Sequence, residues 1–251
     1  MDKENHKRPK IGTTLKVKRL LKQLKKHSES NLQELGDWPS EGLDGAIEDL
    51  VNKISKDSRD VQKAFEEETK ILETFEEIYQ EEPESVSETL IESLQFNKDD
   101  EIRKSAAYVI GFLKIPDAQE AIAGSLMGDP YSATREKAAY ALGEYDLISS
   151  LEPLIYAIEN DNNYWVRAEA AWALGKIGTQ EASKVLLNAL KNDSEGWVRT
   201  SIAAALGEFS EDVIPDLLDV YTKEEDMQVK AQIEKTVKGL RKKENEEAGT
   251  A

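Results

Sequence analysis

Residues 161–178 read DNNYWVRAEAAWALGKIG, and this stretch decides the fold of the 251-residue chain. Its alanine, leucine and charged residues favour helix over strand. At about 100° per residue on a helical wheel, Val166, Ala170, Ala173 and Leu174 fall on one face. The stretch therefore predicts a short polar turn followed by an amphipathic helix whose apolar face packs against a partner helix.

The same pattern occurs four times, at steps of 32 residues. Each copy places a glycine eight residues after an arginine, as in Arg103 and Gly111, Arg135 and Gly143, Arg167 and Gly175, and Arg199 and Gly207. Apolar residues upstream keep the same step, at Leu90, Ile122, Leu154 and Leu186. Self-similarity at this period is typical of stacked helix pairs. A weaker copy around Val229 and Lys230 indicates a C-terminal capping repeat.

The copies resemble the short, phycobilisome-lyase-like kind of HEAT repeat, whose pattern is D-x-x-x-x-V-R-x-x-A-A-x-A-L-G-x-I-G. Residues 161–178 match that pattern at every fixed position, and the resemblance covers residues 84–240. It implies an all-α fold in which the helix pairs form a right-handed α-α superhelix, a HEAT-like solenoid. For function the resemblance is unspecific, because the family includes scaffolds, adaptors and bilin-lyase subunits.

Composition and pattern divide the chain into five parts. We expect a basic amphipathic arm over residues 1–30, a linker over 31–42, an N-terminal helical cap over 43–82, about five tandem HEAT-like repeats over 83–241 and a disordered tail over 242–251. The cap is predicted from apolar helical periodicity without the Val-Arg and Ala-Leu-Gly signatures of the repeats.

The net charge of −17 combines two opposed parts. Residues 1–27 carry ten Lys/Arg and two acids, whereas residues 28–251 carry 23 Lys/Arg and 48 acids, a net −25. Because nucleic-acid affinity rests on neutralising phosphates, this balance predicts no nucleic-acid binding through the repeat body. The basic helix over residues 13–27 leaves three contacts open: an anionic surface such as a membrane, an acidic partner, or the acidic body of this chain.

Two polar columns repeat in register with the helices. Arginines occupy one column and acids the other, six residues earlier; the members are Arg103, Arg135, Arg167 and Arg199 and, for the acids, Asp129, Asp161 and Asp193. We expect the acid to cap the second helix and the arginine to reach the cap of a neighbouring repeat. An anion site along the arginine column is the alternative, but a charge repeated in register favours a structural ladder.

A third set of columns changes from copy to copy and is rich in aromatic residues. The resemblance implies that the second helices line a concave surface, so these side chains are the expected contact points for another protein or peptide: Tyr108, Tyr140, Tyr164, Trp165, Glu169, Trp172, Lys176 and Trp197. Exposed Trp and Tyr are favoured interface anchors. The alternative is that these rings cover helix-turn junctions or pack against their neighbours.

Nothing in the sequence singles out a catalytic residue, a metal site or a cofactor. The chain has no cysteine and two histidines, His6 and His27, both in the basic arm, which removes a cysteine nucleophile, a histidine-ligated metal and a Ser-His-Asp triad from the repeats. This separates the chain from deoxyhypusine hydroxylase, a HEAT-type metalloenzyme that depends on repeated His-Glu pairs. No glycine-rich phosphate loop occurs.

The expected function is therefore a non-enzymatic protein-binding scaffold or adaptor. The alternative implied by the resemblance is a bilin-lyase-like or chaperone subunit that binds a tetrapyrrole and its carrier protein. Without cysteine or histidine in the repeats, such a subunit would hold the pigment non-covalently against aromatic faces. No apolar run reaches the roughly 20 residues of a membrane span, and the first residues lack the apolar core of a signal peptide, so the predicted location is cytoplasmic.

Overall fold

The structure is a computed structural model that describes residues 11–35, 58–145 and 148–249. Over these ranges the chain forms α1 (Ile11–Leu35), α2 (Ser58–Glu81), α3 (Pro83–Phe96), α4 (Asp100–Leu113), α5 (Gln119–Gly128), α6 (Ser132–Tyr145), α7 (Leu151–Asn160), α8 (Tyr164–Ile177), α9 (Gln180–Asn192), α10 (Gly196–Ala205), α11 (Ile214–Lys223) and α12 (Met227–Gly249), with short 3₁₀ turns between some of them. The described ranges contain no strand. The all-α class expected from the sequence is confirmed.

The chain divides into two compact units, residues 1–109 and residues 110–251, with the boundary inside α4. We call them the N-terminal unit and the C-terminal unit. The C-terminal unit contains successive helix pairs, in which α5, α7, α9 and α11 are the first helices and α6, α8, α10 and α12 the second helices.

Local sequence explains where the second helices begin and end, and α8 shows it best. The Asn163 side chain caps the helix by accepting hydrogen bonds from the backbone N–H groups of Trp165 and Val166. At the other end Gly178 adopts a left-handed conformation, with φ 66°, and its N–H donates to the Leu174 carbonyl. Glycine is favoured there because a Cβ atom disfavours positive φ.

The core of the C-terminal unit lies between the first and second helices of each pair. Leu154 and Ile158 of α7 and Val166 and Leu174 of α8 are at most 2% exposed. Each such side chain contributes about 1.5–3 kcal/mol when it is fully buried. The apolar face predicted for the second helix is therefore the buried one. Ala173, predicted on the same face, is also buried but packs against a different repeat.

Ala173 contacts the preceding repeat rather than serving only the core of its own pair. A Cβ atom built on Gly143 of α6 would lie 2.9 Å from the Ala173 Cβ and 3.0 Å from its Cα. The second helices of consecutive repeats thus approach closely because a glycine faces an alanine. The two residues are 30 apart rather than 32, so consecutive second helices are offset by about half a turn, which a wheel drawn for one repeat does not reveal.

In the N-terminal unit, α1 packs its apolar face against α2 and α3. Val17 and Leu21 are fully buried. Around them, Lys25 pairs with Asp99 at 2.5 Å and Thr13 Oγ1 donates a hydrogen bond to a Glu82 carboxylate oxygen at 2.5 Å. Of the three contacts left open for the basic helix, docking on the acidic body of the same chain is the one the structure contains.

Two expected segment boundaries differ from the structure. Helix α1 continues through residues 31–35, which the sequence analysis assigns to the linker, and α12 continues through residues 242–249, assigned to the disordered tail. Both stretches are rich in good helix formers and lack proline, so a packed helix extends through them. Residues 36–42 of the linker and residues 43–57 of the cap lie outside the described residues. None of the described helices is long and apolar enough to cross a membrane.

Candidate protein-binding surface

The side of α6, α8 and α10 that points away from the first helices carries most of the expected contact residues, and we call it the second-helix face. On α8, Trp165 and Trp172 are seven residues apart, which is two helical turns, or about 10.5 Å along the axis. Their exposed fractions are 39% and 43%. The opposite side of the helix is occupied by buried Val166 and Leu174. Both indole rings therefore lie on the outer surface.

Three aromatic side chains form a contiguous cluster at the N-terminal ends of α8 and α10. The Tyr164 and Trp165 ring centroids are 5.0 Å apart, and those of Trp165 and Trp197 are 5.6 Å apart with the rings nearly edge to face. Such pairs are worth about 0.5–1.5 kcal/mol beyond their buried area. Tyr164, Trp165 and Trp197, hereafter the aromatic cluster, bridge two consecutive repeats and are each between 37% and 40% exposed.

Tyr140 and Tyr108 are less accessible than the tryptophans. Both are half-buried. Tyr140, on α6, stands at the repeat position that Trp172 occupies on α8; burial raises the pKa of its phenol, and the nearby Glu144 and Glu169 carboxylates raise it further. Tyr108 belongs to the N-terminal unit. The alternative in which aromatic residues pack against their surroundings fits these two tyrosines better than it fits the tryptophans.

The two charged residues expected on this face have different environments. Lys176 is half-exposed and pairs with Glu144 of the preceding repeat. Glu169 is recessed between α6 and α8, and within the described part of the chain its carboxylate makes no hydrogen bond or ion pair. Burial raises the pKa of the Glu169 carboxyl above its ordinary value; Glu136 and Glu144 act in the same direction, and the Lys137 and Lys176 charges oppose them.

Part of the expected exposed stripe is covered. Ala168 is 5% exposed, and Ser105 and Ser201, which stand at the Glu169 position in other repeats, are 4% and 7% exposed. On a helical wheel of a single repeat, the Ala168 and Glu169 positions fall on the same side as Trp165 and Trp172. Within the C-terminal unit, Ala168 and Ser201 are buried because consecutive second helices approach closely enough to cover the flank beside the contact. Glu169 is thus a charged residue at a position where two equivalent residues are small and buried.

The arginine column forms a ladder between repeats. Arg167 donates two hydrogen bonds to the Asp193 carboxylate, at 2.7 and 3.0 Å, and a third to the Asp161 carbonyl at 3.0 Å. Arg135 and Asp161 form the same paired contact at 2.6 and 2.9 Å. Hydrogen bonding to Asp193 raises the pKa of Arg167. Because a carboxylate neutralises each guanidinium, this column offers little charge to an external anion.

The ends of the ladder differ from its middle. Arg199 donates to Glu224 instead of an aspartate, at 2.8 and 3.0 Å. Arg103, in the N-terminal unit, donates to the Asn97 carbonyl at 3.0 Å and pairs with Asp100 at 2.5 Å. Asp161 and Asp193 do not occupy the N-cap positions of the second helices, which are Asn163 and Glu195. The acids of the column accept backbone N–H groups in the preceding turn, as Asp129 does from Tyr131 at 2.9 Å, and as Asp161 and Asp193 do from Asn163 and Glu195.

Two clefts open beside this ladder, away from the aromatic cluster. One, of about 440 Å³, is lined by Arg167 and Asp193, and the other, of about 760 Å³, by Arg199 and Glu224. The clefts occupy equivalent positions in consecutive repeats, so they follow from the repeat architecture. Within the described ranges, no group of three acidic or histidine side chains is placed to hold a metal ion.

Sequence reasoning missed Glu144, which links several residues of the second-helix face. It pairs with Lys176 and lies 3.6 Å from Lys114. A signal was available, because Glu144 directly follows Gly143 as Lys176 directly follows Gly175. Opposite charges at one repeat position predict an ion pair between neighbouring second helices, in the same way that helical spacing predicts pairs within one helix.

Comparisons with known proteins agree with this architecture. Residues 151–238 match a family model described as HEAT repeats. Among curated proteins none matches the sequence. Solved structures that match include a chain from the complex of CpcE and CpcF of phycocyanin lyase from Nostoc sp. PCC7120, with 22% identity and a TM-score of 0.50 over 61% of this chain. The alignment covers 64% of that neighbour, less than two thirds of its length.

At that identity the neighbour establishes a common fold. Residues 151–238 match HEAT repeats, and the HEAT-like solenoid fold class expected from residues 161–178 is confirmed.

Proposed function

We propose that this HEAT-repeat chain is a non-catalytic scaffold or adaptor that binds a segment of another protein on the second-helix face of its C-terminal unit. The observation that carries the proposal is the exposure of four large aromatic side chains on that face, namely Tyr164, Trp165, Trp172 and Trp197. Rigid aromatic side chains lose little conformational entropy when they are covered, and they dominate the energetics of many protein interfaces.

The available apolar area sets the scale of the expected affinity. A tryptophan side chain offers up to about 250 Å², so an exposed fraction near 40% leaves about 100 Å² for a partner to cover. At about 25 cal/mol per Å², each ring contributes at most about 2.5 kcal/mol. Two tryptophans therefore supply up to about 5 kcal/mol, which corresponds to more than a thousandfold in affinity.

The experiment is an affinity capture from a host lysate with the wild-type chain and two variants. Trp165→Ala with Trp172→Ala removes two rings of the second-helix face. Tyr156→Ala is the matched control, because Tyr156 is 48% exposed but belongs to the first helix α7. We expect a set of captured proteins to be lost with the double variant and retained with the control. Capture that is unchanged in a folded double variant refutes the proposal.

A second candidate function follows from the fold neighbour. That neighbour belongs to a complex of CpcE and CpcF of phycocyanin lyase. By analogy, this chain would pair with a related helical-repeat chain and hold a tetrapyrrole, with its carrier protein, against the same aromatic residues. Stacking on Trp165 or Trp172 would supply an apolar contact for the pigment.

Absorbance spectroscopy separates the two functions. Titrating the purified chain with a bilin is expected to shift and sharpen the visible band if the second function holds, and Trp172→Ala is expected to reduce that shift. The candidate is rejected if the visible spectrum stays identical to that of the pigment in buffer at protein concentrations up to about 1 mM. Any complex would then have a binding free energy weaker than about 4 kcal/mol.

A further inference from the structure

Glu169 is a recessed carboxylate on the second-helix face, and the two cations that influence it, Lys137 and Lys176, each pair with another acid. Lys137 contacts Glu136 at 2.8 Å, and Lys176 pairs with Glu144. Glu169 itself makes no direct ion pair or hydrogen bond within the described part of the chain. Removing a carboxylate from water without supplying a partner costs free energy. An incoming cation would offset that cost.

Two aromatic residues, Trp172 and Tyr140, lie in the neighbourhood of this carboxylate. Trp172 follows Glu169 by three residues on α8, which places the two side chains next to each other on the helix surface. Tyr140 projects from α6, close enough for the Glu169 charge to influence its phenol. A carboxylate beside an exposed aromatic ring matches a guanidinium group, which stacks on aromatic faces while its N–H groups donate to a carboxylate.

The charge of the surroundings favours a cation as well. The C-terminal unit, residues 110–251, contains 15 Lys/Arg and 25 Asp/Glu, so its net charge is 15 − 25 = −10. A field of this sign attracts cationic segments and raises their association rate. The neutral serine at the equivalent position of the next repeat, Ser201, is buried and offers no such acceptor.

We propose that Glu169, beside Trp172 on α8, receives an arginine side chain of the protein segment that binds the second-helix face. The proposal rests on the function proposed above and specifies its chemistry. The partner segment carries an arginine whose guanidinium stacks on the Trp172 indole and donates hydrogen bonds to the Glu169 carboxylate. Apolar or aromatic residues of the same segment then cover the aromatic cluster.

A peptide titration tests this without knowledge of the natural partner. The probe is acetyl-Gly-Arg-Gly-amide, and the control probe is the same peptide with citrulline, which has nearly the shape of arginine but no charge. The chain has four tryptophans. In ¹⁵N-tryptophan-labelled protein, the Trp172 indole resonance is assigned by its loss in Trp172→Phe. Its chemical shift change on titration reports binding at the site.

We expect the arginine peptide to move the Trp172 resonance saturably, with a Kd near the millimolar range, and the citrulline peptide to bind at least tenfold more weakly. Glu169→Gln is expected to weaken arginine binding at least tenfold. Glu181→Gln, an equal charge change at an exposed site on the first helix α9, is expected to leave it within twofold. Circular dichroism confirms that both variants remain folded.

Equal binding of the arginine and citrulline peptides, or unchanged arginine binding in folded Glu169→Gln, overturns the proposal. Equal binding of the corresponding lysine peptide overturns the assignment of a guanidinium. The scaffold function fails in a different experiment, namely when capture from lysate is unaffected by the loss of Trp165 and Trp172. If capture depends on these tryptophans but the peptide titration shows no preference for arginine, only the arginine site is rejected.

Discussion

Replacing glycine by alanine at equivalent positions of successive repeats is expected to change stability in opposite directions. An added Cβ would meet its nearest atom at 2.7 Å for Gly111, 2.9 Å for Gly143, 3.1 Å for Gly175 and 3.6 Å for Gly207. The substitution is chemically the same each time. For Gly111, Gly143 and Gly175, which lie within α4, α6 and α8, the spacing to the next second helix decides the outcome.

Two opposing contributions set the magnitude. Alanine is favoured over glycine in a helix by about 0.5–1 kcal/mol, because the unfolded glycine chain has more conformational freedom to lose. Overpacking an interior contact costs about 1–3 kcal/mol. Gly207 lies in the 3₁₀ turn Leu206–Glu208 that follows α10, where the new methyl group makes an ordinary contact at 3.6 Å, so the gain from restricting the unfolded chain remains. At 2.7 Å the obstructing atom is the Ala141 Cα, and the backbone of α6 must move.

We therefore expect Gly207→Ala to stabilise the chain by about 0.5–1 kcal/mol and Gly175→Ala to leave it within about 0.5 kcal/mol of the wild type. Gly143→Ala is expected to destabilise it by about 1 kcal/mol and Gly111→Ala by about 1–2 kcal/mol. Gly239→Ala on α12, where no atom lies within 4 Å of the added Cβ, is the control for the helix-propensity gain.

Urea unfolding followed by circular dichroism at 222 nm gives the five free energies, and equal m-values show that the variants unfold over the same surface. A difference of 1 kcal/mol corresponds to about 2–4 °C in Tm for a chain of this size. If Gly111→Ala stabilised the chain as much as Gly239→Ala, close approach of the second helices would not limit packing, and the distance argument would be wrong.

Three further perturbations test the ladder, the first helix and the recessed carboxylate. Arg167→Ala is expected to lower the free energy of unfolding by about 2–4 kcal/mol, because it leaves a buried carboxylate without its partner. Arg167→Lys is expected to cost about half as much, because the paired N–H donors of the guanidinium are lost. Urea midpoints measure both, and equal costs would contradict a bidentate contact. By the same assay, Leu21→Ala is expected to lower the free energy of unfolding by about 2–5 kcal/mol, because Leu21 is buried. Leu15→Ala is expected to lower it by less than about 0.5 kcal/mol, because Leu15 is 65% exposed. Similar costs for the two variants would mean that α1 does not dock. Glu169→Gln is expected to raise the Tm at pH 7, because the pKa of the Glu169 carboxyl is raised in the folded state and the charged form is therefore destabilising there. The wild type gains stability as the pH falls through that pKa, so the advantage of the variant disappears in acid. A Tm difference that does not depend on pH would show that the charge is not responsible.

The repeat architecture could be predicted because its determinants are local and occur several times. Helical periodicity in residues 161–178 identifies the core face, and a step of 32 residues repeated through Arg103, Arg135, Arg167 and Arg199 fixes the length of each helix pair. A register error in one copy would be exposed by the other three. The positions of the arginines and acids in the ladder follow from the same alignment.

Contacts between repeats depended on tertiary structure. An alignment at steps of 32 sets Gly143 opposite Gly175, whereas the folded chain sets it against Ala173. This offset between consecutive second helices determines which flank is covered. It buries Ala168 and Ser201, which the wheel of a single repeat left outside, and it recesses Glu169.

The basic N-terminal helix makes the same distinction. Its sequence determined an amphipathic helix with a cationic side, because spacing within one helix is local information. Only the fold decided what covers the apolar side, since Val17 and Leu21 are buried by α2 and α3, more than thirty residues away along the chain. Local spacing establishes which residues share a face, whereas burial and the pKa of a group such as Glu169 depend on atoms that distant segments bring close.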